Sequence, residues 1–509
     1  MDPAIVVFND GIAGQILSIT NDGLLSFKKV GGADGATLVP DLASALPEVS
    51  ADGLTYRFPL REGIRYSSGD AVRPEDFRHA VERAIALNAD SPLAADIAAL
   101  YGAIDGAEAC RKDPSTCDLS GSIVTDAEAV TFHLARPDPD LQLKLAMPWA
   151  FPVPVATPVK DQGLDPLPAT GPYMIVEAGP DGIDLVRNPE FHEWSGAAQP
   201  DGFVDAIGWR FDEEPAEAFD RLDAGELDWM TNPPVEELRS LQAAHPDQVV
   251  VRPNLATHSL GLNVGTPPFN DERVRQALNY AIDRNRVVEL RAVPTNYRAT
   301  CQILPPDLQG YEPFCPYTLE PDSGVWSAPD LDRARALIED ADAIGDKVMV
   351  WAPHDPGDAP PDLVRLQGYF VEVLNELGLR ANPKIVHDED QFWGAVYAGK
   401  AQAFLTGWGS IYPSAHDFIY PLFSCGGFGN PSGYCSKTLD AAIDEAQRLQ
   451  ATDPAAANSA WIEIEHQLVE EAIWVPLTNP VSTYAFSGRT ENVQVNPQYG
   501  ILLSRLWVQ

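Results

Sequence analysis

Residues 258–288 read HSLGLNVGTPPFNDERVRQALNYAIDRNRVV. The stretch opens as a strand: Leu260, Leu262 and Val264 alternate with smaller or polar residues, the period of a strand with one buried face. Gly265 and the Pro267–Pro268 pair stop it, because proline donates no ladder hydrogen bond. Asn270 then stands as a helix cap, with Asp271 and Glu272 in a first turn that favours negative charge. Val274, Ala277, Leu278, Ala281 and Ile282 follow at the spacing of one apolar helix face. This is the strand–turn–helix unit of an α/β protein.

The chain has 509 residues, long enough for several domains or one multi-lobed fold, and 45% hydrophobic with 21% charged residues is a globular composition. Lys and Arg number 35 against 74 Asp and Glu, a net charge of −39. So acidic a surface repels phosphate backbones and anionic headgroups, which argues against nucleic-acid binding and a polybasic membrane role. No apolar run is long enough to cross a bilayer. Met1-Asp2-Pro3 lacks the basic and apolar regions of a secretion signal, so the expectation is either that a leader and first strand were removed or that this is one part of a longer polypeptide.

Six cysteines fall into three close pairs, Cys110 with Cys117, Cys301 with Cys315, and Cys425 with Cys435. None is Cys-x-x-Cys, which disfavours zinc and thioredoxin-type chemistry. Of 15 connectivities open to six cysteines, pairing within each turn-rich segment is the expectation. Disulfides imply an oxidising compartment.

Along the chain, a helix and a strand pair occupy residues 16–49 and a strand hairpin 54–66. A helix begins at Pro74 with Phe77, Ala80, Val81, Ala84 and Ile85 on one face. A polar cysteine loop spans 100–121 and one strand spans 125–134. The proline-spaced segment Trp149–Pro154 reads as an extended crossing strand. From residue 330 onward strands and helices alternate as in a βαβ lobe.

Residue identities add a family resemblance. Leu42-Ala43 followed by Asp52–Gly69 (DGLTYRFPLREGIRYSSG), the Pro168–Tyr173 element, and the 258–288 run closely resemble family 5 extracytoplasmic solute-binding proteins, the peptide- and nickel-type binding proteins of ABC importers. Ala169 stands where that family has the first glycine of Gly-Thr-Gly-Pro-Tyr. The resemblance covers nearly the whole chain. It implies an α/β fold of the class II periplasmic-binding-protein (Venus flytrap) type, with two α/β lobes and an inserted subdomain. Lobe I would comprise 1–40, 165–257 and 478–509, the subdomain 41–164, and lobe II 258–477. The implied partners are a peptide or other small solute and ABC permease subunits. The implied state is a monomer outside the cytoplasm, periplasmic or a cell-surface lipoprotein. A ligand-sensing module of a larger regulatory protein is the alternative.

Gly-x-Ser-x-Gly, His-Glu-x-x-His, P-loop and EF-hand patterns are absent, so no catalytic residue, metal or cofactor is expected. The candidate ligand-binding stretch is Gly407–Phe418, after a strand, where α/β ligands sit. It supplies Trp408, Ser410, Ile411, Tyr412, His416 and Asp417; Trp393, Trp351 and His258 are further candidates. In dipeptide- and oligopeptide-binding relatives this loop carries a Trp followed three residues later by an Asp that pairs with the peptide ammonium. Counting from Trp408, that position is Ile411. Leu422–Cys425 and Cys435 match the dipeptide-binding pattern and support the register. A buried ammonium without a carboxylate costs several kcal/mol. The expectation is therefore a blocked, neutral or non-peptide ligand, or Asp417 acting in place of the missing acid.

Overall fold

The computed structural model describes residues 1–6, 11–91, 94–211, 214–353 and 361–509. The chain forms two compact units, Met1–Val249 with Tyr484–Gln509, and Val250–Thr483.

In the first unit, helix α1 (Gly11–Thr20) buries Ile16, Leu17 and Ile19, and strand β1 (Leu25–Phe27) pairs with β2 (Leu38–Pro40). A four-stranded antiparallel sheet follows, in the order β3 (Glu48–Val49), β4 (Thr55–Pro59), β6 (Ala129–His133), β5 (Ile123–Thr125). Helix α2 (Pro74–Asn88) has proline in its first turn, and Asp76 accepts from the Arg73 amide at 2.8 Å. Its Phe77, Ala80, Val81, Ala84 and Ile85 are all buried, as the period demands. Helices α3 (Ala94–Tyr101), α4 (Ala107–Lys112) and α5 (Leu141–Lys144) complete this part.

Four expectations change here. The alternating run 54–66 is not a hairpin: beyond Pro59 only isolated bridges at Leu60 and Arg65 remain, and β4 pairs with β3 and β6 instead. Gly63 at φ 82° turns the chain away from any return strand. The expected single strand at 125–134 is two strands, because Asp126 caps a turn by accepting from the Glu128 amide at 2.8 Å. The cysteine segment is helical at α4, and Pro148–Ala150 is a 3₁₀ turn rather than a crossing strand.

The rest of the first unit is a three-stranded antiparallel sheet of β7 (Tyr173–Gly179), β8 (Gly182–Arg187) and β9 (Ala206–Arg210). Helix α6 (Pro215–Asp223), strand β10 (Trp229–Thr231) and helix α7 (Val235–Ala244) follow. Its core includes a polar knot. Lys29 Nζ donates to Gln199 at 3.0 Å, Thr170 donates to Asp22 at 2.7 Å, and Trp194 donates to Asp41 at 2.9 Å. Burial pushes both carboxyls up and Lys29 down, while Lys29 partly offsets the shift of each acid.

Strand β11 (Val249–Pro253) leads into the second unit and β12 (Ala256–Leu262) follows. Helix α8 (Glu272–Ala281) is capped by Asp271, not Asn270: the Asp271 carboxylate accepts from the Arg273 amide at 2.9 Å. Ile282 then leaves the helix, and Asp283 caps a separate helix α9 (Arg284–Leu290). The order continues with β13 (Tyr297–Ala299), α10 (Leu331–Asp340), β14 (Lys347–Pro353), α11 (Pro361–Glu376) and β15 (Arg380–Val386). Then come α12 (Glu389–Tyr397), β16 (Ala403–Gly409), α13 (Ala415–Phe423), α14 (Lys437–Gln450), α15 (Pro454–Glu470) and β17 (Trp474–Phe486). Within the sheet β17, β12, β16, β14 and β15 lie in that order, β14 running parallel to β15 and β16.

Alternation assigns the faces. Leu260, Leu262, Leu405, Val348 and Val350 meet Val274, Leu278, Ile338, Leu366 and Phe370 from α8, α10 and α11 in one core. On the opposite face Trp474 packs with α13, α14 and α15, while Phe404 packs with α12. Gly261 is required there, since a Cβ would stand 2.3 Å from the Phe404 ring. Each cysteine is bonded to its near neighbour: Cys110–Cys117, Cys301–Cys315 and Cys425–Cys435.

Candidate functional site

Strand β16 ends at Gly409, and polar groups within the loop to α13 and on the neighbouring strand connection hold it. The Ser410 amide donates to the Leu255 carbonyl at 2.8 Å, and its hydroxyl to the Tyr412 carbonyl. Ser414 caps α13 by accepting from the His416 amide at 3.2 Å. Asp417, in the first helical turn, accepts from the Ile411 amide at 2.7 Å. Ser410, Ile411, Tyr412 and Asp417 are all buried, Asp417 to 1% exposure. The carboxylate of this loop thus serves its own backbone.

Aromatic groups flank it. His416 stacks on Tyr420 at 5.0 Å and 16°, stands edge-on to Trp461, and lies 3.4 Å from the Tyr412 hydroxyl. Trp408 lies 6.1 Å from Phe428, which is carried on the loop closed by Cys425–Cys435. Phe428 and Tyr420 are 42% and 37% exposed, so apolar surface reaches solvent on this side. Neither residue stood out in the sequence; the glycine-rich disulfide loop was the available signal.

The other candidates separate. Trp351 and Trp393 pack with Phe392, Val396 and Phe404 beneath α12, and Trp393 donates to Glu389 at 3.3 Å. His258 pairs across from Gly407 while Thr257 pairs across from Trp408, so His258 and Trp408 point to opposite faces of the sheet. His258 instead joins Arg291: its Nδ1 accepts from Arg291 Nη2 at 2.9 Å, and Tyr297 lies 5.8 Å away. Burial pushes the imidazole down to about 3 and the Arg291 charge adds to it, so His258 is neutral at ordinary pH. Arg291 also faces Thr478 at 3.4 Å, Asp362 at 3.6 Å and the Tyr297 ring at 4.6 Å. The visible signal for it was a second cation at buried helical spacing, since Arg284, Val287 and Arg291 share one face.

Among the described residues no group of three or more His, Cys, Asp or Glu is placed to hold a metal ion.

Residues 37–430 match the model of the bacterial extracellular solute-binding proteins, family 5. The chain is 26% identical over 440 residues to the periplasmic oligopeptide-binding protein OppA of Escherichia coli, covering 84% of this chain and 76% of that protein. It is 26% identical over 472 residues to the glutathione-binding protein GsiB of Shigella dysenteriae, covering 89% and 83%. Among solved structures, the clavulanic acid biosynthesis oligopeptide binding protein 2 superposes with a TM-score of 0.84 at 25% identity, covering 100% of this chain and 93% of that one. The unliganded open form of the murein tripeptide binding protein MppA gives 0.78 at 21% identity, a likeness of fold.

Proposed function

The chain belongs to the bacterial extracellular solute-binding proteins of family 5, and we propose that it is the substrate-binding component of an ABC importer that captures a peptide or peptide-like solute between its lobes by hinge closure. The division into lobe I (1–40, 165–257, 478–509), inserted subdomain (41–164) and lobe II (258–477) belongs to this proposal. So do delivery to permease subunits, the monomeric state and a periplasmic or lipid-anchored location. The observation that carries it is the near full-length match to binding proteins whose named ligands are oligopeptides and glutathione. The arrangement of the 409–418 loop supports a solute-binding role, with aromatic surface beside an internally bonded turn. Ligand shifts the population toward the closed form without chemistry.

One observation favours a narrower reading. Asp417 accepts from the Ile411 amide through one carboxylate oxygen and is 1% exposed, so the acid lies buried behind the loop backbone. This supports solutes without a free ammonium group. A thermal-shift screen of the oxidised protein tests both readings, comparing free peptides, N-blocked peptides and neutral sugars. Ligand at a thousand times its dissociation constant adds about 4 kcal/mol of stability. A shift with blocked peptides supports the proposal. A shift with free peptides alone overturns the narrower reading, and a shift with sugars alone overturns the peptide assignment.

A further inference from the structure

Asp22, Lys29 and Asp41 lie together in the first unit, 2%, 4% and 1% exposed. Two acids and one base out of water leave an unbalanced negative charge if all three ionise, and a buried site resists that. The hydrogen-bond donors show which acid stays neutral. Lys29 Nζ donates to Gln199 Oε1 at 3.0 Å, so Gln199 Nε2 is the donor that meets Asp22 Oδ1 at 2.5 Å. The Thr170 hydroxyl donates to Asp22 Oδ2 at 2.7 Å. Both Asp22 oxygens are therefore acceptors. Asp41 Oδ1 accepts from the Trp194 indole at 2.9 Å, and a further side-chain hydrogen bond joins Asp41 to Asp22. Two carboxylates cannot make that bond without a proton between them.

We propose that Asp41 is a neutral carboxylic acid whose Oδ2–H donates to the Asp22 carboxylate, and that this proton is a pH-sensitive lock on the first unit. The lock joins segments far apart in the chain. Ser18 near the end of α1 accepts from Lys29 and from Gln199, the latter at 3.1 Å, Thr170 precedes β7, and Trp194 and Gln199 lie between β8 and β9. The other titratable groups facing Asp41 are Arg61, which donates to the Asp41 main-chain carbonyl at 2.7 Å, and Tyr499. Lys29 Nζ lies 4.9 Å from the Tyr499 ring, and burial raises the phenol so that it carries no charge. Burial, and then the Asp22 charge, push the Asp41 carboxyl well above its ordinary value of 3.8. The folded form therefore keeps a proton that the unfolded chain releases. Stability from the lock is full below about pH 3.8 and falls as pH rises toward the raised value, where a second negative charge appears beside Asp22. The lock stands apart from the peptide reading.

The test uses the full-length oxidised protein, the parent beside Asp41→Asn and Asp22→Asn. Asp41→Asn keeps both bonds, an amide oxygen for Trp194 and an amide N–H for Asp22, without a titrating proton. Asp22→Asn offers one acceptor to two donors and takes the counter-charge from Lys29. Thermal midpoints are followed from about pH 5 to about pH 9. Infrared spectra are taken at about pH 8, where Glu465, pushed up to about 7 by burial, has lost most of its proton. The expected result is that Asp41→Asn melts near the parent at about pH 5 and gains on it steadily as pH rises, while Asp22→Asn melts below the parent throughout. A carboxylic-acid C=O band in the parent should vanish in Asp41→Asn. An Asp41→Asn protein that fails to fold, or that melts as low as Asp22→Asn, overturns the placement of the proton. A parent without the acid band, or a gap between parent and Asp41→Asn that does not widen with pH, overturns the lock.

Discussion

The Ile411 amide donates to the Asp417 carboxylate at 2.7 Å, across the turn that joins β16 to α13. Asp417 sits in the first turn of that helix, where the helix dipole also favours its charge. The bond therefore fixes the loop and the helix start together. Asp417→Asn keeps an acceptor but loses the charge, and is expected to destabilise the protein by about 1–3 kcal/mol. Urea unfolding checks this. An unchanged midpoint would mean the carboxylate does not hold the turn.

Glu465 supplies a prediction about pH. It is fully buried, and its carboxylate accepts from the Ile303 and Leu304 amides at 2.8 and 3.3 Å, bracing the loop closed by Cys301–Cys315. Burial outweighs those bonds and pushes the carboxyl up to about 7, from 4.5. The folded form therefore holds a proton that the unfolded chain releases between those values. Stability from this group is full below about pH 4.5 and falls as pH rises through about 7, by on the order of 3 kcal/mol. Glu465→Gln should be more stable than the parent at about pH 8 and should lose this component of the pH dependence. A parallel fall in stability in both proteins would refute it.

The fold was legible where one segment carries its own period. The strand–turn–helix of 258–288, the face of α2 and the local cysteine pairs needed no distant information. The run 54–66 misled because alternation marks a strand without naming its partner, and β6, about seventy residues later, takes that place. The site was less legible for the same reason. His258 and Trp408 are both polar-tipped rings near a strand end, yet the β12–β16 register sends them to opposite faces. Asp362 meets Arg291 only through the packing of α11, which no local pattern announces.

Asp2 is a further contact that local pattern did not reveal. Its carboxylate takes both Nη groups of Arg83, one at 2.6 Å, and accepts the Gln162 amide at 3.1 Å. Side-chain exposures are 1% for Arg83 and 0% for Asp2, so the pair is out of water. Asp2→Ala leaves a buried guanidinium without its counter-charge, at an expected cost of about 3–5 kcal/mol. Pairing Asp2→Leu with Arg83→Met should recover most of that loss. Calorimetric melting of the three proteins decides it, and a single variant as stable as the parent would sink the assignment.

Gly407 ties the sheet to the Arg291 cluster. It pairs across from His258, and a Cβ at this position would stand 2.8 Å from His258 Cδ2. Gly407→Ala must therefore push the imidazole aside, and the Arg291 Nη2 bond to Nδ1 goes with it. Overpacking of this kind costs about 1–3 kcal/mol. The more telling readout is the imidazole itself. In the parent protein burial and the Arg291 charge hold His258 down at about 3, so its resonances stay constant across neutral pH. In the variant the ring moves away from the guanidinium and toward solvent, and its titration should rise toward the ordinary value near 6.5. Imidazole resonances followed by NMR from about pH 5 to 8 separate the cases. Titration in Gly407→Ala but not in the parent means that the missing side chain at 407 keeps His258 neutral and Arg291 in place. A His258 that titrates near 6.5 in both would mean that burial and the Arg291 charge do not hold the ring neutral.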